Sequence, residues 1–408
     1  MTTHPLRHRA FRLLFTGRTL SAVGDAVVPA ALAIAVSRAT GSAAALSLVL
    51  ACAMVPRLLL LPLGGVVADR FDARKAALTT DLVRCAAQLV VGLELIGGDP
   101  RLPHLAVAEA IGGIASAFAM PTAAPLVTGT VDGEGLLRAN ALVASANNAA
   151  RLAGPALAGA LIFTAGPGWA FVLDAASFAA SAALLAVIQV RRTPIPRRSL
   201  RADLVEGWSE VRARDWYWTS LIAHSMWNGA AAVLATLGPL AVHGRAHGDG
   251  IWVVVLQAGS VGLLLGSLLA SRARPKRPIL AANAGLATYA LPLALLAAGA
   301  PAWLLVASYA LALCALGFLT PVWETYVYAS VPAGVLARVV SYDWLLSLAA
   351  MPVGYALAPL ASDAFGAAVP LYVSAAVVGA ACLGTAAVPG VRRAKALTAV
   401  EPEATVPV

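Results

Sequence analysis

Charged residues are scarce in this chain of 408 amino acids. Only 12% of the residues are Asp, Glu, Lys or Arg, whereas 60% are hydrophobic and the mean hydropathy is +0.80. Soluble domains carry roughly 25% charged residues. The composition therefore excludes a soluble fold and predicts that a lipid bilayer surrounds the protein. The net charge of +9 is explained by basic loops at a membrane, so no nucleic-acid partner is expected.

Cysteine is also rare, and several motifs of enzymes are missing. The four cysteines lie inside apolar segments, without metal-ligand spacing and with no indication of a disulfide. The sequence has no glycine-rich phosphate loop with a lysine, which argues against an ATP-driven pump. No Ser-His-Asp arrangement stands out. We therefore predict that the protein is not an enzyme and uses neither a metal nor a cofactor.

Long apolar runs are the most prominent feature of the sequence. A helix needs about 20 apolar residues to cross a bilayer. The sequence predicts twelve such spans, at residues 13–36, 43–66, 76–97, 103–126, 140–164, 169–190, 217–241, 251–271, 279–299, 302–326, 337–361 and 367–388. The predicted fold class is thus an all-α membrane protein with twelve transmembrane helices. Because twelve is even, both termini lie on one side.

Lysine and arginine are distributed unequally between the two sides. Of the 29, 22 fall in the termini and in the connections after spans 2, 4, 6, 8 and 10, and four lie within spans. The opposite loops hold three, Arg38, Arg101 and Arg245. Basic residues collect in cytoplasmic loops. We therefore predict that both termini are cytoplasmic.

The connection at residues 191–215 differs from the other loops. It contains seven arginines, with Leu200, Leu204, Trp208 and Val211 at helical spacing. This pattern predicts an amphipathic helix on the membrane surface, and a disordered basic tether is the alternative. The predicted domains are a six-helix bundle at 1–190, this linker at 191–215, a second six-helix bundle at 216–390 and a cytoplasmic tail at 391–408.

The two halves share landmarks at one offset. A shift of 200 residues superposes Pro121 on Pro321, Arg138 on Arg338, Gly154 on Gly354 and Gly166 on Gly366. Chance accounts for one such match among alanine-rich helices, but not for four at the same offset. The sequence therefore indicates an internal repeat.

The connection after the second span carries the most specific motif. Gly65 precedes Asp69-Arg70 by four residues, and Arg74-Lys75 follow shortly afterwards. This arrangement resembles the signature between the second and third helices of the major facilitator superfamily of transporters. Asp72 is a departure, because the family usually has glycine there. The resemblance implies two six-helix halves in parallel repeat, which transport by alternating access.

The resemblance also implies a gate. In the family, the acid equivalent to Asp69 closes the cytoplasmic side by contacting the N-terminus of helix 11, where an acid complements the helix dipole. Here that helix begins near Arg338. We expect a cytoplasmic gate formed by Gly65, Asp69, Arg70, Arg74, Lys75 and Arg338. The alternative is a basic cluster that only ends the second span.

Three acids within the spans are candidates for proton coupling: Asp25 in span 1, Glu109 in span 4 and Glu324 in span 10. A charge at the bilayer centre costs roughly 2.5–3.5 kcal/mol on insertion scales. Such an acid therefore needs a wet cavity or a bound proton. In the family, helices 1, 4, 7 and 10 line the cavity. The alternatives are a structural hydrogen bond for Asp25 and an interfacial position for Glu324.

Spans 5, 7, 8 and 10 supply further cavity candidates. Asn147 and Arg151 share a face of span 5 with Gly154, and Arg151 is expected to neutralise a cavity acid or to bind an anionic substrate group. The segment with Gly154, Pro155 and Gly159 resembles the antiporter motif of superfamily exporters, in which small residues allow close packing and proline bends the helix. The remaining candidates are His224, Trp227, Asn228, Gln257 and Trp323. His224 is either a proton relay or a structural residue.

Two features of the spans are predicted to be structural. Asp81 and Arg84 lie three residues apart on span 3 and are expected to neutralise each other. Asp174 on span 6 is expected to serve packing.

The leading functional prediction is a proton-driven antiporter that exports a small amphipathic or hydrophobic compound. The runs Trp323-Glu324-Thr325 and Leu173 to Phe178 resemble bacterial exporters related to siderophore and macrolide efflux proteins. Uptake by proton symport and a non-transporting sensor or scaffold are the alternatives. Acids outnumber bases among the candidate cavity positions, which favours a cationic or neutral substrate. The expected partners are that substrate, protons and lipid, and the expected state is a monomer.

Overall fold

The computed structural model describes residues 5–70, 72–131, 133–188, 200–243, 248–272, 275–331 and 336–394. Within these ranges, side chains are not described at positions 62, 65–70, 124, 133–137, 141, 200–204, 206, 271, 328–329, 336–338 and 341. The described residues contain helices, turns and short connections, and no strand.

The first half contains α1 (Arg9–Thr40), α2 (Ala43–Arg70), α3 (Ala73–Ile96), α4 (Leu102–Ala119), the short α5 (Ala123–Thr128), α6 (Gly133–Thr164) and α7 (Gly168–Val187). Helix α8 (Leu200–Arg212) lies in the connection between the halves. The second half contains α9 (Asp215–His243), α10 (Gly248–Arg272), α11 (Pro278–Leu286), α12 (Ala290–Ala297), α13 (Ala302–Ser330), α14 (Leu336–Leu348), α15 (Met351–Phe365), α16 (Ala368–Gly384) and α17 (Pro389–Arg393).

The long helices match the predicted spans, with three interruptions. The fourth span is divided into α4 and α5 by a 3₁₀ turn at Met120–Thr122. The ninth span is divided into α11 and α12 by a 3₁₀ turn at Ala287–Tyr289, and the eleventh into α14 and α15 by a turn at residues 349–350. Within the described residues, eleven helical segments are long and apolar enough to cross a membrane. Helix α6 is long enough to be the twelfth membrane span, because its 32 residues extend about 48 Å. Polar residues interrupt its apolar sequence near the middle.

The outer surface of the bundle is apolar. Leu59, Leu360 and Phe365 are 69%, 65% and 70% exposed. Large exposed apolar surfaces are rare on soluble monomers and mark contact with lipid or a partner. The hydrophobic side chains therefore face outward as well as inward, as the composition requires.

The internal repeat is visible in the packing of each half. A Cβ atom at Gly154 would meet the carbonyl oxygen of Ala26 in α1, and one at Gly354 would meet the carbonyl oxygen of Gly229 in α9. Gly154 thus allows α6 to contact the backbone of α1, and Gly354 allows α15 to contact the backbone of α9. The paired Gly166 and Gly366 both have positive φ, at 99° and 79°.

Asp72 begins α3. Its Oδ1 accepts hydrogen bonds from the backbone N–H groups of Arg74, at 3.0 Å, and Lys75, at 3.3 Å. This is an N-cap, which satisfies donors that the first turn of a helix leaves free. The departure from the family motif therefore stabilises the start of α3.

Removing this cap gives a graded prediction. Asp72→Ala is expected to cost about 1 kcal/mol, while Asp72→Gly, which restores the usual family residue, costs only a few tenths. The measurement is the midpoint of thermal aggregation of the detergent-purified protein. Equal midpoints for Asp72→Ala and wild type would show that the cap contributes nothing.

Candidate functional site

A cavity of about 600 Å³ lies between the two halves. The first half lines it with residues of α1 and α6 and with Met120, and the second half with residues of α10 and α13. Its polar lining includes Asp25, Asn147, Arg151 and Ser260. The remainder is mostly apolar, with Tyr309 on one wall. Small-molecule sites have this form, a largely apolar concavity with a few placed polar groups.

Asp25 is paired with an arginine from another helix. Its Oδ1 accepts a charge-assisted hydrogen bond from the Nη2 group of Arg84 in α3. The Asp25 side chain is 46% exposed and that of Arg84 is 16% exposed. The carboxylate of Asp25 is thus accessible to water from the cavity, whereas Arg84 lies inside the first half.

Arg84 is held in place by a second contact. Its guanidinium carbon lies 3.9 Å from the centre of the Phe178 ring of α7, a cation–π arrangement. Asp81 does not pair with Arg84 as expected, because its Oδ2 accepts a hydrogen bond of 2.7 Å from Ser181. Neighbouring helices offer closer partners than the next turn of α3. The predicted intrahelical pair is therefore replaced by two contacts between helices.

Arg151 has no hydrogen-bond or ion-pair partner among the described residues, although it lines the cavity. Its side chain is exposed. Arg57 in α2 is similarly placed, because its Nη2 group contacts only the sulfur of Met120, at 3.2 Å. Two arginines without a described acidic partner thus lie beside the cavity.

Two acids of the first half are enclosed by protein. Glu109 is 7% exposed and Asp174 is fully buried. Within the described part of the chain, no partner is found for Oε1 of Glu109 or for Oδ2 of Asp174. Asp174 lies against Gly24, next to Asp25. Glu109 does not line the cavity, because α4 turns it toward the interior of the first half.

Among the described residues, the ion pair that joins the two halves lies at one end of the bundle. We call the end where α1 begins the terminal face and the opposite end the distal face. At the distal face, Nε of Arg38 lies 2.6 Å from Oδ2 of Asp249, whose Oδ1 lies 2.9 Å from His243. Nearby, the Ser47 hydroxyl donates to the carbonyl of Tyr355. We call the pair Arg38–Asp249 the distal latch.

Several predicted cavity residues lie instead in the core of the second half. Trp323 is 7% exposed, stacks on Tyr217 at 5.2 Å and donates its indole N–H to Asp343 at 2.6 Å. His224 is buried and lies 3.2 Å from Asn283 Oδ1. These side chains do not line the cavity, because neighbouring helices satisfy their polar atoms.

The other candidates of α9 do not line the cavity either. Trp227 packs on Tyr289 with 4.5 Å between ring centres. Asn228 donates to the carbonyl of His224 at 3.0 Å, within its own helix. Gln257 donates to the carbonyl of Leu152 at 2.9 Å and so links α10 to α6, in place of lining the cavity.

Glu324 lies beyond the cavity on the same face of α13. Tyr309 and Leu313 line the cavity, and a helical spacing of eleven residues places Glu324 on the side of Leu313. The separation is about 16 Å along the axis, toward the terminal face. Glu324 is exposed, so it lies where a path from the cavity to the terminal face would pass.

The predicted gate is described only in part. For Gly65, Asp69, Arg70 and Arg338 the structure describes only the backbone. Arg74 does not reach across the halves, because its guanidinium donates to the carbonyls of Leu185, at 2.7 Å, and Ala186 at the end of α7. Lys75 is exposed. The gating role of the motif stays a prediction.

Some site residues were not found from the sequence. Tyr309 and Ser260 line the cavity without any local pattern that marks them. The partnership of Arg84 with Asp25 was missed, although both were noted as charges within spans. The rule that intramembrane charges pair across helices was the available indication.

Comparison with known proteins was made on the sequence and on the fold. The sequence profile of the Major Facilitator Superfamily matches residues 14–344. The multidrug efflux pump Tap of Mycobacterium tuberculosis is 28% identical over 219 residues, which cover 50% of this chain and 50% of that protein. Tap of Mycobacterium bovis matches to the same extent. The chain therefore spans about half the length of the curated relatives it matches.

Solved structures share the fold at low identity. The nucleoside transporter NupG superposes with a TM-score of 0.73 and 12% identity, covering 92% of this chain and 99% of that one. A bacterial homologue of the human lysosomal transporter Spinster, in an inward-facing and unoccupied conformation, gives a TM-score of 0.72 and 13% identity, with coverages of 98% and 100%. At these identities the likeness concerns the fold alone.

Proposed function

The chain belongs to the Major Facilitator Superfamily, and from this premise we propose that it is a proton-coupled antiporter exporting a small amphipathic compound. The family makes the protein a multi-pass membrane transporter rather than an enzyme. Direction, coupling and substrate are the proposed part. The partial similarity to the Tap efflux pump supports export, as does the Gly154-Pro155 segment that resembles the antiporter motif.

The observation that carries the proposal is Asp25 in the wall of the cavity. Its carboxylate is 46% exposed, so water in the cavity has access to it. Its partner Arg84 comes from another helix. A proton on Asp25 removes half of this ion pair and so changes the attraction between α1 and α3. Because α1 also lines the cavity, proton binding and substrate binding act on the same helix.

The distal latch supports a direction for loading. In this conformation the two halves touch at the distal face through Arg38 and Asp249, and Glu324 is exposed toward the terminal face. The excess of basic residues on the terminal face supports a cytoplasmic location for it. A substrate would therefore enter from the cytoplasm and leave after the latch separates.

The test uses inside-out membrane vesicles in which respiration generates a proton gradient, followed with a fluorescent pH probe. Wild-type vesicles are expected to lose part of the gradient when an exported compound is added from a panel of dyes, antibiotics and siderophores. Vesicles without the protein are the control. Enhancement of uptake into right-side-out vesicles, with no proton release from inside-out vesicles, would instead establish symport.

Weakening the distal latch is expected to have a small effect on the population of the conformation that is open at the distal face. Exposed ion pairs contribute about 0–1 kcal/mol, so Arg38→Glu is expected to raise the population open at the distal face by up to about fivefold. The measurement is the rate at which an impermeant maleimide, added outside cells, labels Asn147→Cys in a background without the native cysteines. The charge swap Arg38→Glu with Asp249→Arg restores the slow rate. Identical rates in all three proteins would contradict the latch.

A further inference from the structure

We infer that Arg151 binds an anionic group of the substrate, so the transported compound joins one negative charge to an apolar body. This inference deepens the proposed function and rests on it for the transport step only. The sequence left two roles open for Arg151, a partner for a cavity acid or an anion site. The geometry of the cavity separates the two.

The position of Arg151 is that of a ligand-binding group. It lies in the middle of α6 and lines the cavity together with Asn147, one turn earlier on the same face. Its guanidinium is exposed to the cavity and finds no acid among the described residues. A guanidinium and an amide side by side present several N–H donors, and carboxylate or sulfonate oxygens are matching acceptors.

The charges around the cavity leave this arginine uncompensated. Asp25 is the one acid among the described lining residues. Arg84 already pairs with it, and so cancels its charge within the first half. Arg57 does not line the cavity, but its contact with the lining residue Met120 places a second positive charge beside it, without a described acidic partner. The excess of charge is therefore positive, which favours an anionic substrate over the cationic or neutral one predicted from the sequence.

The rest of the lining describes the remainder of the substrate. Pro29, Leu256, Leu263 and Leu313 form apolar walls, and Tyr309 adds an aromatic ring. These surfaces favour a hydrophobic or aromatic body. With a volume of about 600 Å³, the cavity has room for a compound of drug size. An organic carboxylate or sulfonate with one or two rings fits this description.

Alternating access gives the anion a mechanical role. When the halves close around the cavity, Arg151 loses the water that now surrounds it. A buried and unpaired charge is strongly unfavourable, and a paired one much less so. A bound anion therefore lowers the barrier to closure relative to the empty cavity. Binding and movement are coupled by the same electrostatic contact.

A matched pair of probes tests the inference by direct binding. The probes are 8-anilinonaphthalene-1-sulfonate and N-phenyl-1-naphthylamine, which share their aromatic body and differ in the sulfonate. Binding is measured by fluorescence to the full-length protein in nanodiscs of zwitterionic lipid, with empty nanodiscs subtracted. The variants are Arg151→Gln and Arg151→Lys. The control is Arg138→Gln, an exposed arginine of the same helix that does not line the cavity.

Arg151→Gln is expected to weaken sulfonate binding by about tenfold or more, because charged hydrogen bonds are among the stronger polar contacts. Arg151→Lys should retain an intermediate affinity, and Arg138→Gln should leave it unchanged. The neutral probe should bind all four proteins equally, which also verifies that the variants are folded. Unchanged sulfonate binding in Arg151→Gln overturns the inference, as does equal loss of both probes.

The outcomes distinguish this inference from the proposed function. Sulfonate binding that depends on Arg151, in a protein that never releases protons from vesicles, would refute antiport and leave the anion site intact. Proton release by the wild type with sulfonate binding that ignores Arg151 would refute the anion site alone.

Discussion

Asp25→Asn is expected to abolish the compound-driven release of protons from inside-out vesicles, with at least a tenfold loss of rate. Asparagine has almost the same shape and still accepts a hydrogen bond from Arg84, but it has no charge and cannot take up or release a proton. Transport that needs a proton on this side chain must therefore stop. The protein should remain folded, because the contact of Arg84 with the Phe178 ring is unaffected.

Two further variants make this result specific. Asp99→Asn removes an acid from an exposed loop and should transport like wild type. In Asp25→Asn with Arg84→Gln, the unpaired arginine is also removed, so any lost stability should return while coupling stays absent. Wild-type rates for Asp25→Asn under a proton gradient would show that another group carries the proton, and Glu324 and Glu109 would be examined next.

The second large effect is expected from a single methyl group. Gly154→Ala places a Cβ atom against the carbonyl oxygen of Ala26, in the contact that brings α6 onto α1. Overpacking of this kind typically costs about 1–3 kcal/mol. We expect a thermal midpoint lower by several degrees and a reduced transport rate, since Asp25 lies on the helix that must move away. Gly354→Ala should behave alike, because it meets the carbonyl oxygen of Gly229.

Gly112→Ala is the matched control for this effect. It also lies in a membrane helix, α4, but a Cβ atom at this position meets nothing within 4 Å. Stability should therefore stay at the level of the wild type or rise slightly, because alanine favours a helix over glycine by up to about 1 kcal/mol, and transport should be unchanged. If Gly154→Ala and Gly112→Ala have the same midpoint, the two helices are not held together by this close approach.

The sequence predicted the helices more successfully than the partners of their side chains. Apolar length alone locates a span, and rarity alone marks Asp25 and Arg151 as cavity candidates. The orientation of α13 was harder to predict, because a helix that is apolar on every side has no stripe to show which face lies inward. Trp323 and Glu324 are neighbours in sequence, but they lie on different faces of that helix.

Pairing across helices was the other limit. The spacing of Asp81 and Arg84 permits an intrahelical pair, and nothing local shows that Asp25 and Ser181 lie nearer. Which side chains pair depends on which helices are adjacent and on their relative positions along the membrane normal. Both depend on the packing of the whole bundle and not on local sequence. The repeat at an offset of 200 residues was the exception, since Gly154 and Gly354 mark the same helix contact in the two halves and Gly166 and Gly366 share a positive φ.

Helices α3 and α7 are fastened along their whole length. Arg74 holds the end of α7 at the terminal face, Ser181 and Phe178 bind Asp81 and Arg84 in the middle, and Gly92 packs against Gly168 near the distal face. Because these contacts lie at three levels along the pair, α3 and α7 can neither slide past each other nor separate. When the transporter changes its open side, these two helices must turn together as one lever within the first half.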